Sequence, residues 1–158
     1  MAQNVVSEDD VEWIERSHGE TFASRRAYLG EAAGGERLGC SLYEIPPGKS
    51  HCPYHYHGAN EEAAYVLSGE GILRSPEGEE ALSAGDYVSF PVGEAGAHRI
   101  RNDSDDTLRY LCFSTRSEPE AVTSPDSGKL GVFWGAAPDS PSKLFPLDAD
   151  VDYWEGES

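Results

Sequence analysis

Two histidines and a glutamate lie close together in the chain at spacings that suit metal binding. His55 and His57 are two residues apart, so on an extended strand their imidazoles point to the same face. Glu62 follows after a short polar turn, and residues 63–67 have the apolar pattern of a buried strand. Burying a carboxylate and two imidazoles together is costly unless something pairs with them. A divalent metal would do so, because neutral imidazoles and carboxylates are common metal ligands.

A later segment supplies another histidine, His98, and with it a second recognisable pattern. The two segments together resemble the motifs of the cupin family. The first motif corresponds to Gly48, His55, His57, Glu62 and Gly69, and the second to Gly85, Pro91, Gly93, His98 and Asn102. This chain has one extra residue in the first motif and two in the second, which can move a loop but remove no ligand. The resemblance extends over about residues 37–116.

The resemblance implies an all-β fold, the double-stranded β-helix or jelly-roll barrel of the cupins. It also implies a metal site made by His55, His57, Glu62 and His98. The phrases PYHYH, PDSGK and DYWEGE are similar to those of one branch of small single-domain cupins, most of which have no assigned reaction. The resemblance therefore implies the fold and the metal site but names no substrate.

The ligand set permits several metals. On octahedral Mn(II), Fe(II), Co(II) or Ni(II), four protein ligands leave two positions open for substrate, water or dioxygen. On Zn(II) the same four ligands could close a tetrahedron and leave a structural or weakly active site. The imidazole donors do not select among these ions, so the sequence predicts a divalent metal without identifying it.

Short apolar segments separated by Gly and Pro recur along the chain, which is typical of a β-barrel or sandwich. We interpret Gly69–Gly71 as a hairpin turn, and the chain after Arg116 as losing its pattern until residues 130–134. The predicted organisation is an N-terminal arm packed on the barrel, the barrel itself, and a C-terminal tail that docks on the barrel or on a partner subunit, over residues 1–36, 37–134 and 135–158. The predicted barrel strands are 38–45, 63–67, 72–75, 80–83, 87–90, 99–102 and 107–115.

The charge balance is strongly acidic. Asp and Glu number 29 against 12 Lys and Arg, which gives a net charge of -17. This field disfavours nucleic acids and anionic membranes as partners. A solvated acidic surface is one interpretation, and adaptation to high salt, where screening relieves self-repulsion, is the hypothesis that we prefer. The acidic N-terminus lacks the features of a signal peptide and three cysteines form no disulfide framework, so we expect a cytoplasmic protein, and a homodimer.

Other polar residues near the motifs are candidates for substrate contacts. His51, four residues before His55, is placed to line the mouth of the pocket. Among the arginines, Arg74 is the candidate for binding a substrate carboxylate, because strand alternation places Arg99 and Arg101 on the face opposite His98. Cys52 has no third group to orient a Cys/His pair, so we do not interpret it as a nucleophile. No catalytic residue is assigned.

Three functional hypotheses follow. The first is a metal-dependent enzyme of oxygenase, isomerase or lyase type acting on a small polar molecule. The second is a binding protein that uses its metal to hold a sugar or carboxylate without turnover, which the scarcity of further acid or base residues favours. The third is an interaction protein with an empty site. Fold alone does not decide among them, because one fold hosts many reactions.

Overall fold

A computed structural model of the protein describes residues 4–134 and 142–158. These residues contain thirteen β-strands, one short α-helix and three 3-10 turns. The helices are Leu29–Ala32 (α) and Glu8–Asp10, Glu94–Gly96 and Pro125–Ser127 (3-10). The strands are β1 (Trp13–His18), β2 (Phe22–Tyr28), β3 (Leu38–Ile45), β4 (Tyr56–His57), β5 (Glu62–Ser68), β6 (Glu70–Ser75), β7 (Gly78–Ser83), β8 (Tyr87–Phe90), β9 (Arg99–Arg101), β10 (Leu108–Thr115), β11 (Glu120–Ser124), β12 (Lys129–Phe133) and β13 (Ser142–Pro146).

The strands form three antiparallel sheets. One has six strands in the order β1-β2-β3-β10-β5-β8, one has four in the order β13-β12-β11-β4, and one has three in the order β7-β6-β9. The all-β prediction is therefore confirmed. None of the helices in the described residues has the length and apolar character that crossing a bilayer requires.

The core consists of inward-facing side chains from the six-stranded and three-stranded sheets. Ile45, Leu108 and Tyr110 are at most 1% exposed, and Val66 and Ile100 pack in the same cluster. Each large apolar side chain buried in this way stabilises the fold by about 1.5–3 kcal/mol. The core thus fixes the strands that flank the loops near residues 51–62 and 91–98, where the predicted metal ligands lie.

The structure corrects the interpretation of Gly69–Gly71 as a hairpin turn. β5 pairs with β10 and β8, whereas β6 pairs with β7 and β9, so the chain changes sheet at Gly69. Gly69 has a φ of +81°, and a Cβ there would lie 2.6 Å from the carbonyl oxygen of Thr107. Only glycine fits such a corner without displacing the backbone that passes it.

The segments that flank the barrel motifs join its sheets. In the N-terminal arm, β1 pairs with β2 and β2 pairs with β3, which extends the six-stranded sheet. In the tail, β13 pairs with β12 at the edge of the four-stranded sheet; residues 135–141, also assigned to the tail, lie outside the described residues. The structure adds β11, a strand in the stretch after Arg116 that we expected to lack a pattern. β11 pairs with β4, which carries His57.

Candidate metal centre and its cavity

A pair of backbone hydrogen bonds places two of the predicted ligands side by side. The N–H of His55 donates to the carbonyl oxygen of His98 at 3.1 Å, and the N–H of His98 donates to that of His55 at 2.9 Å. The two residues therefore face each other in an antiparallel bridge, and their ring centroids lie 4.6 Å apart. The bridge brings His55 and His98, which are 43 positions apart in the sequence, into one site.

The other two predicted ligands approach the same point. His57 lies on β4 and Glu62 begins β5. Glu62 Oε2 lies 3.1 Å from His57 Nε2, 3.4 Å from His98 Nε2 and 4.0 Å from His55 Nε2. His55, Glu62 and His98 have ligand atoms within 4.8 Å of one another, and this group of three could hold a metal ion. We call the four side chains the His/Glu cluster.

The opposite ring nitrogens of the three histidines contact hydrogen-bond acceptors. His55 Nδ1 lies 2.9 Å from the carbonyl oxygen of Pro53, and His98 Nδ1 lies 2.8 Å from that of Gly96. His57 Nδ1 lies 3.3 Å from a carboxylate oxygen of Glu120. Because these oxygens accept, each Nδ1 carries the proton in the neutral ring and each Nε2 presents a lone pair. Such outer contacts are typical of histidines that bind metals.

The arrangement leaves the Nε2 lone pairs facing a carboxylate. His57 Nε2 is buried and has no hydrogen-bond partner among the described residues. With its proton on Nδ1, this imidazole turns a lone pair toward Glu62 Oε2, which repels it unless a cation or a proton lies between them. The orphaned atom and the donor set fit a divalent metal.

Burial and mutual contact shift the ionisation of the His/Glu cluster. Burial together with the nearby His98 and His57 lowers the pKa of His55 to about 4. Burial alone would raise the pKa of Glu62, but its close contacts with His57 and His98 lower it well below its usual value. Burial lowers the pKa of His57, yet contacts with Glu62 and Glu120 raise it overall. Glu62 is thus a carboxylate and His55 a neutral imidazole at neutral pH, the forms that metals bind.

Glu120 is a functional candidate that the sequence reasoning missed. Its side chain is only 11% exposed. Its two oxygens accept from the backbone N–H groups of residues 58, 59, 60 and 121 and from the side-chain amide of Asn60, besides contacting His57. The carboxylate therefore orders the turn after His57 and orients its ring. The only sequence signal was a glutamate directly after a proline, at the start of a strand that the sequence analysis did not identify.

An aromatic ring stacks on the imidazole of His98. Phe90, the last residue of β8, stacks on the imidazole with ring centroids 3.6 Å apart and an interplanar angle of 10°. His98 is 3% exposed, and Phe90 is 5% exposed. The stack restricts the orientation of the ring and keeps water from one of its faces.

The His/Glu cluster opens into a cavity of about 480 Å³, which we call the metal cavity. His55, His57 and Glu62 form part of its wall. Residues of the N-terminal strand pair and of β11 and β12 also line this cavity. A second cavity of about 800 Å³ adjoins the first, and both are lined by Arg16, His51 and Pro53. The volume of the metal cavity suits a small organic molecule.

The two predicted substrate-binding residues lie in different places. His51 lines the metal cavity, and its Nδ1 lies 2.7 Å from the hydroxyl oxygen of Tyr110. Burial lowers the pKa of His51 to about 3. Arg74 lies outside the metal cavity, stacks over Tyr54 at 4.0 Å and forms a bidentate pair with Asp126. The structure thus brings His51 to the cluster but not Arg74.

The thiol beside the cluster is not activated. Cys52 Sγ lies 3.5 Å from His55 Nδ1, and burial raises the pKa of the thiol. A nucleophilic cysteine needs a lowered pKa, because the thiolate is the reactive form. The geometry agrees with leaving Cys52 out of the catalytic candidates.

Comparisons with known proteins agree with this architecture. Residues 41–114 match the family model described as "Cupin domain". A comparison with curated proteins finds no match. Among solved structures, a proposed sugar phosphate isomerase from Acidithiobacillus ferrooxidans is similar at 28% identity, with 94% of this chain and 96% of that chain covered and a TM-score of 0.82.

Two further structures show likeness of fold. A sugar phosphate isomerase of the cupin superfamily from Silicibacter pomeroyi has 22% identity, covers 92% of this chain and 94% of its own, and has a TM-score of 0.81. A predicted oxalate decarboxylase from Thermotoga maritima has 24% identity, covers 72% of this chain and 99% of its own, and has a TM-score of 0.61. The first two structures match over nearly the whole chain, so the likeness includes the segments that flank the barrel motifs.

Proposed function

Since the chain belongs to the cupin superfamily, we propose that it is a metal-dependent enzyme of isomerase type acting on a small polar molecule. In this proposal one divalent metal is held by His55, His57, Glu62 and His98. The observation that carries the proposal is a set of three imidazoles, that of His98 buried and those of His55 and His57 partly buried. Their Nδ1 atoms contact hydrogen-bond acceptors, so their Nε2 lone pairs converge on one carboxylate. A divalent cation at the centre would pair with all three lone pairs and with the carboxylate at once, which a single proton does not do.

The choice of isomerase over oxygenase or lyase rests on the similar structures. The Acidithiobacillus protein, at 28% identity over nearly the full length of both chains, is described as a proposed sugar phosphate isomerase. A bound divalent metal supplies a Lewis acid that polarises a carbonyl or hydroxyl oxygen. The chain's own residues would do the rest: His51 meets the substrate as a neutral hydrogen-bonding group fixed by Tyr110, and the walls of the metal cavity limit access of water.

Metal content and turnover together test the proposal. Elemental analysis of the purified protein should find about one divalent metal per chain, which should be lost in His55→Ala and retained in His18→Ala, an exposed histidine of β1 outside the cluster. The metal-loaded protein should then interconvert aldose and ketose forms of sugar phosphates in an NMR assay, and His55→Ala should not. Absence of metal from the wild type after reconstitution with Mn(II), Fe(II), Co(II), Ni(II) and Zn(II) would refute the ligand assignment.

A second candidate function is metal-dependent binding without turnover. The observation that favours it is the ionisation of the non-ligand groups in the metal cavity: His51 has a pKa of about 3, and the pKa of the Cys52 thiol is raised. Neither value lies near neutral pH, where general acid–base catalysis is most efficient. Stoichiometric metal and saturable ligand binding, with no turnover on any sugar phosphate, would support this function over the enzyme.

A further inference from the structure

We infer that the metal cavity contains an anion-binding subsite, formed by Arg26 with Arg16 on the N-terminal strand pair, and that the ligand therefore carries a carboxylate or phosphate group. The inference deepens the proposed function and rests on it for the identity of the cavity. It assigns to the N-terminal arm a role in recognition that is separate from the metal ligands.

The register of β1 and β2 places both arginines on one face. Arg16 pairs with Ser24, and Arg26 pairs with Ile14, so the two arginines are diagonal neighbours across the ladder. Side chains alternate along a strand, and Ser24 and Arg26 therefore share the face that forms a wall of the metal cavity. Arg26 is half-buried and Arg16 is exposed, and both line the metal cavity, so an anion bound there would be attracted by both charges.

The guanidinium of Arg26 is held in a fixed orientation. Its Nε and Nη2 both donate to Ser41 Oγ, at 3.0 and 2.9 Å. It also lies over the rings of Tyr28 at 4.0 Å and Tyr43 at 5.0 Å. These contacts use one edge and the faces of the group, whereas Nη1 has no hydrogen-bond partner in the part of the chain that the structure describes. A guanidinium group held in this way loses little conformational entropy when it binds an oxyanion.

Charge pairing separates Arg26 from most other arginines. Within the described residues, five arginines lie within 4.0 Å of a carboxylate, namely Arg25, Arg74, Arg101, Arg109 and Arg116. Arg26 is half-buried and, across residues 4–134 and 142–158, has no carboxylate at that distance. The chain has 29 acidic residues. A partly desolvated cation that lacks a carboxylate partner in so acidic a protein is therefore best explained by an anion supplied from outside.

The adjacent residue provides a matched control. Arg25 lies on the opposite face of β2, is exposed, and pairs with Glu44 at 3.0 Å and Glu15 at 3.5 Å. Arg25→Gln and Arg26→Gln change the net charge equally and lie at neighbouring backbone positions. Only Arg26→Gln removes a charge from the metal cavity, so a difference between the two variants reports the subsite and not the overall field.

Isothermal titration calorimetry with three probes of similar size tests the inference. Glucose 6-phosphate, gluconate and glucose are titrated, at one fixed salt concentration, into wild type, Arg25→Gln, Arg26→Gln and Arg26→Lys. We expect at least one anionic probe to bind the wild type more tightly than glucose, and which one does so identifies the group as phosphate or carboxylate. Arg26→Gln should weaken that binding about tenfold or more, Arg26→Lys by less, and Arg25→Gln not measurably. Glucose affinity should be unchanged.

Two results would overturn the inference: no preference of the wild type for either anion over glucose, or equal affinities in Arg25→Gln and Arg26→Gln. Circular dichroism verifies the fold of each variant, and Arg16→Gln replaces Arg26→Gln as the deciding variant if the latter does not fold. Failure of the proposed function looks different. Protein that lacks metal or turnover but still prefers an anion through Arg26 would contradict the enzyme and support the subsite.

Discussion

Replacing Glu120 with glutamine should both destabilise the fold and weaken metal binding. One carboxylate oxygen accepts from the N–H groups of Gly58 at 3.1 Å, Ala59 at 2.9 Å and Ala121 at 2.8 Å. The other accepts from the N–H of Asn60 at 3.0 Å and from its side-chain amide, and contacts His57 Nδ1 at 3.3 Å. Glutamine is nearly isosteric with glutamate, but whichever way its amide turns, an NH₂ group meets three donors.

The size of the effect follows from these contacts. A hydrogen bond to a charged group contributes about 1.5–3 kcal/mol, and a buried donor left without a partner costs about 1–3 kcal/mol. Losses at one group are not additive and the turn can relax, so we expect a decrease of about 3–5 kcal/mol in the free energy of unfolding. Loss of the contact that orients His57 should also reduce metal affinity about 10–100-fold.

Urea denaturation of the metal-free protein measures the first effect, and competition with a chromophoric chelator measures the second. Glu118→Gln is the control, because Glu118 is exposed and lies two residues earlier in the same segment. If both variants unfold at the same urea concentration and bind metal equally, Glu120 does not order the turn or the ligand, and the reasoning is wrong.

Three further predictions concern pH, backbone geometry and salt. Burial lowers the pKa of His51 from 6.5 to about 3 and that of His55 to about 4, so the unfolded chain binds more protons than the folded one below pH 6.5. The free energy of unfolding of the metal-free protein should therefore fall as the pH drops from 6.5 toward 4, although the raised pKa of His57 acts in the opposite direction. Urea titrations at pH 7 and pH 5 measure this change, and equal stability at the two pH values would contradict it. Gly69→Ala should destabilise the protein by about 1–3 kcal/mol more than Gly85→Ala. Both glycines have a positive φ, but of the two only Gly69 has backbone atoms within 3 Å of a new Cβ. Thermal unfolding of the two variants measures the difference. The net charge of -17 predicts a higher melting temperature in molar KCl than at low salt, and calorimetry showing the reverse would remove the case for salt adaptation.

The parts of the fold that the sequence predicted well are those with strong local signals. The predicted ranges 38–45 and 87–90 coincide with β3 and β8, because alternating apolar residues are bounded there by glycine and proline. A local signal also produced the wrong prediction at Gly69 and Gly71, where the two glycines indicated a hairpin turn and the chain in fact passes from one sheet to another. A local turn signal indicates that the chain bends, but it does not tell which sheet the next strand joins.

The site residues that the sequence analysis missed contact the site from positions far away in the sequence. Glu120 contacts His57 across 63 positions, and β11 is a short strand whose pairing with β4 no local pattern indicates. Arg26 reaches the metal cavity because β2 pairs with β3, and no local pattern in the sequence indicates that pairing. Arg74 was preferred on strand alternation, yet Asp126, 52 positions away, holds its side chain outside the metal cavity. Each case depends on tertiary contacts and not on propensity.

The N-terminal strand pair has a consequence for how this protein can evolve. The side chains of the His/Glu cluster lie between residues 55 and 98, whereas Arg16 and Arg26, which also line the metal cavity, lie on β1 and β2. Substitutions on β1 and β2 can change the shape and charge of the metal cavity while leaving the His/Glu cluster and its backbone bridge unchanged. Selection can therefore act on the lining of the cavity and on the His/Glu cluster through separate stretches of one gene. Substitutions in the first thirty residues could change which small molecules fit without altering the His/Glu cluster.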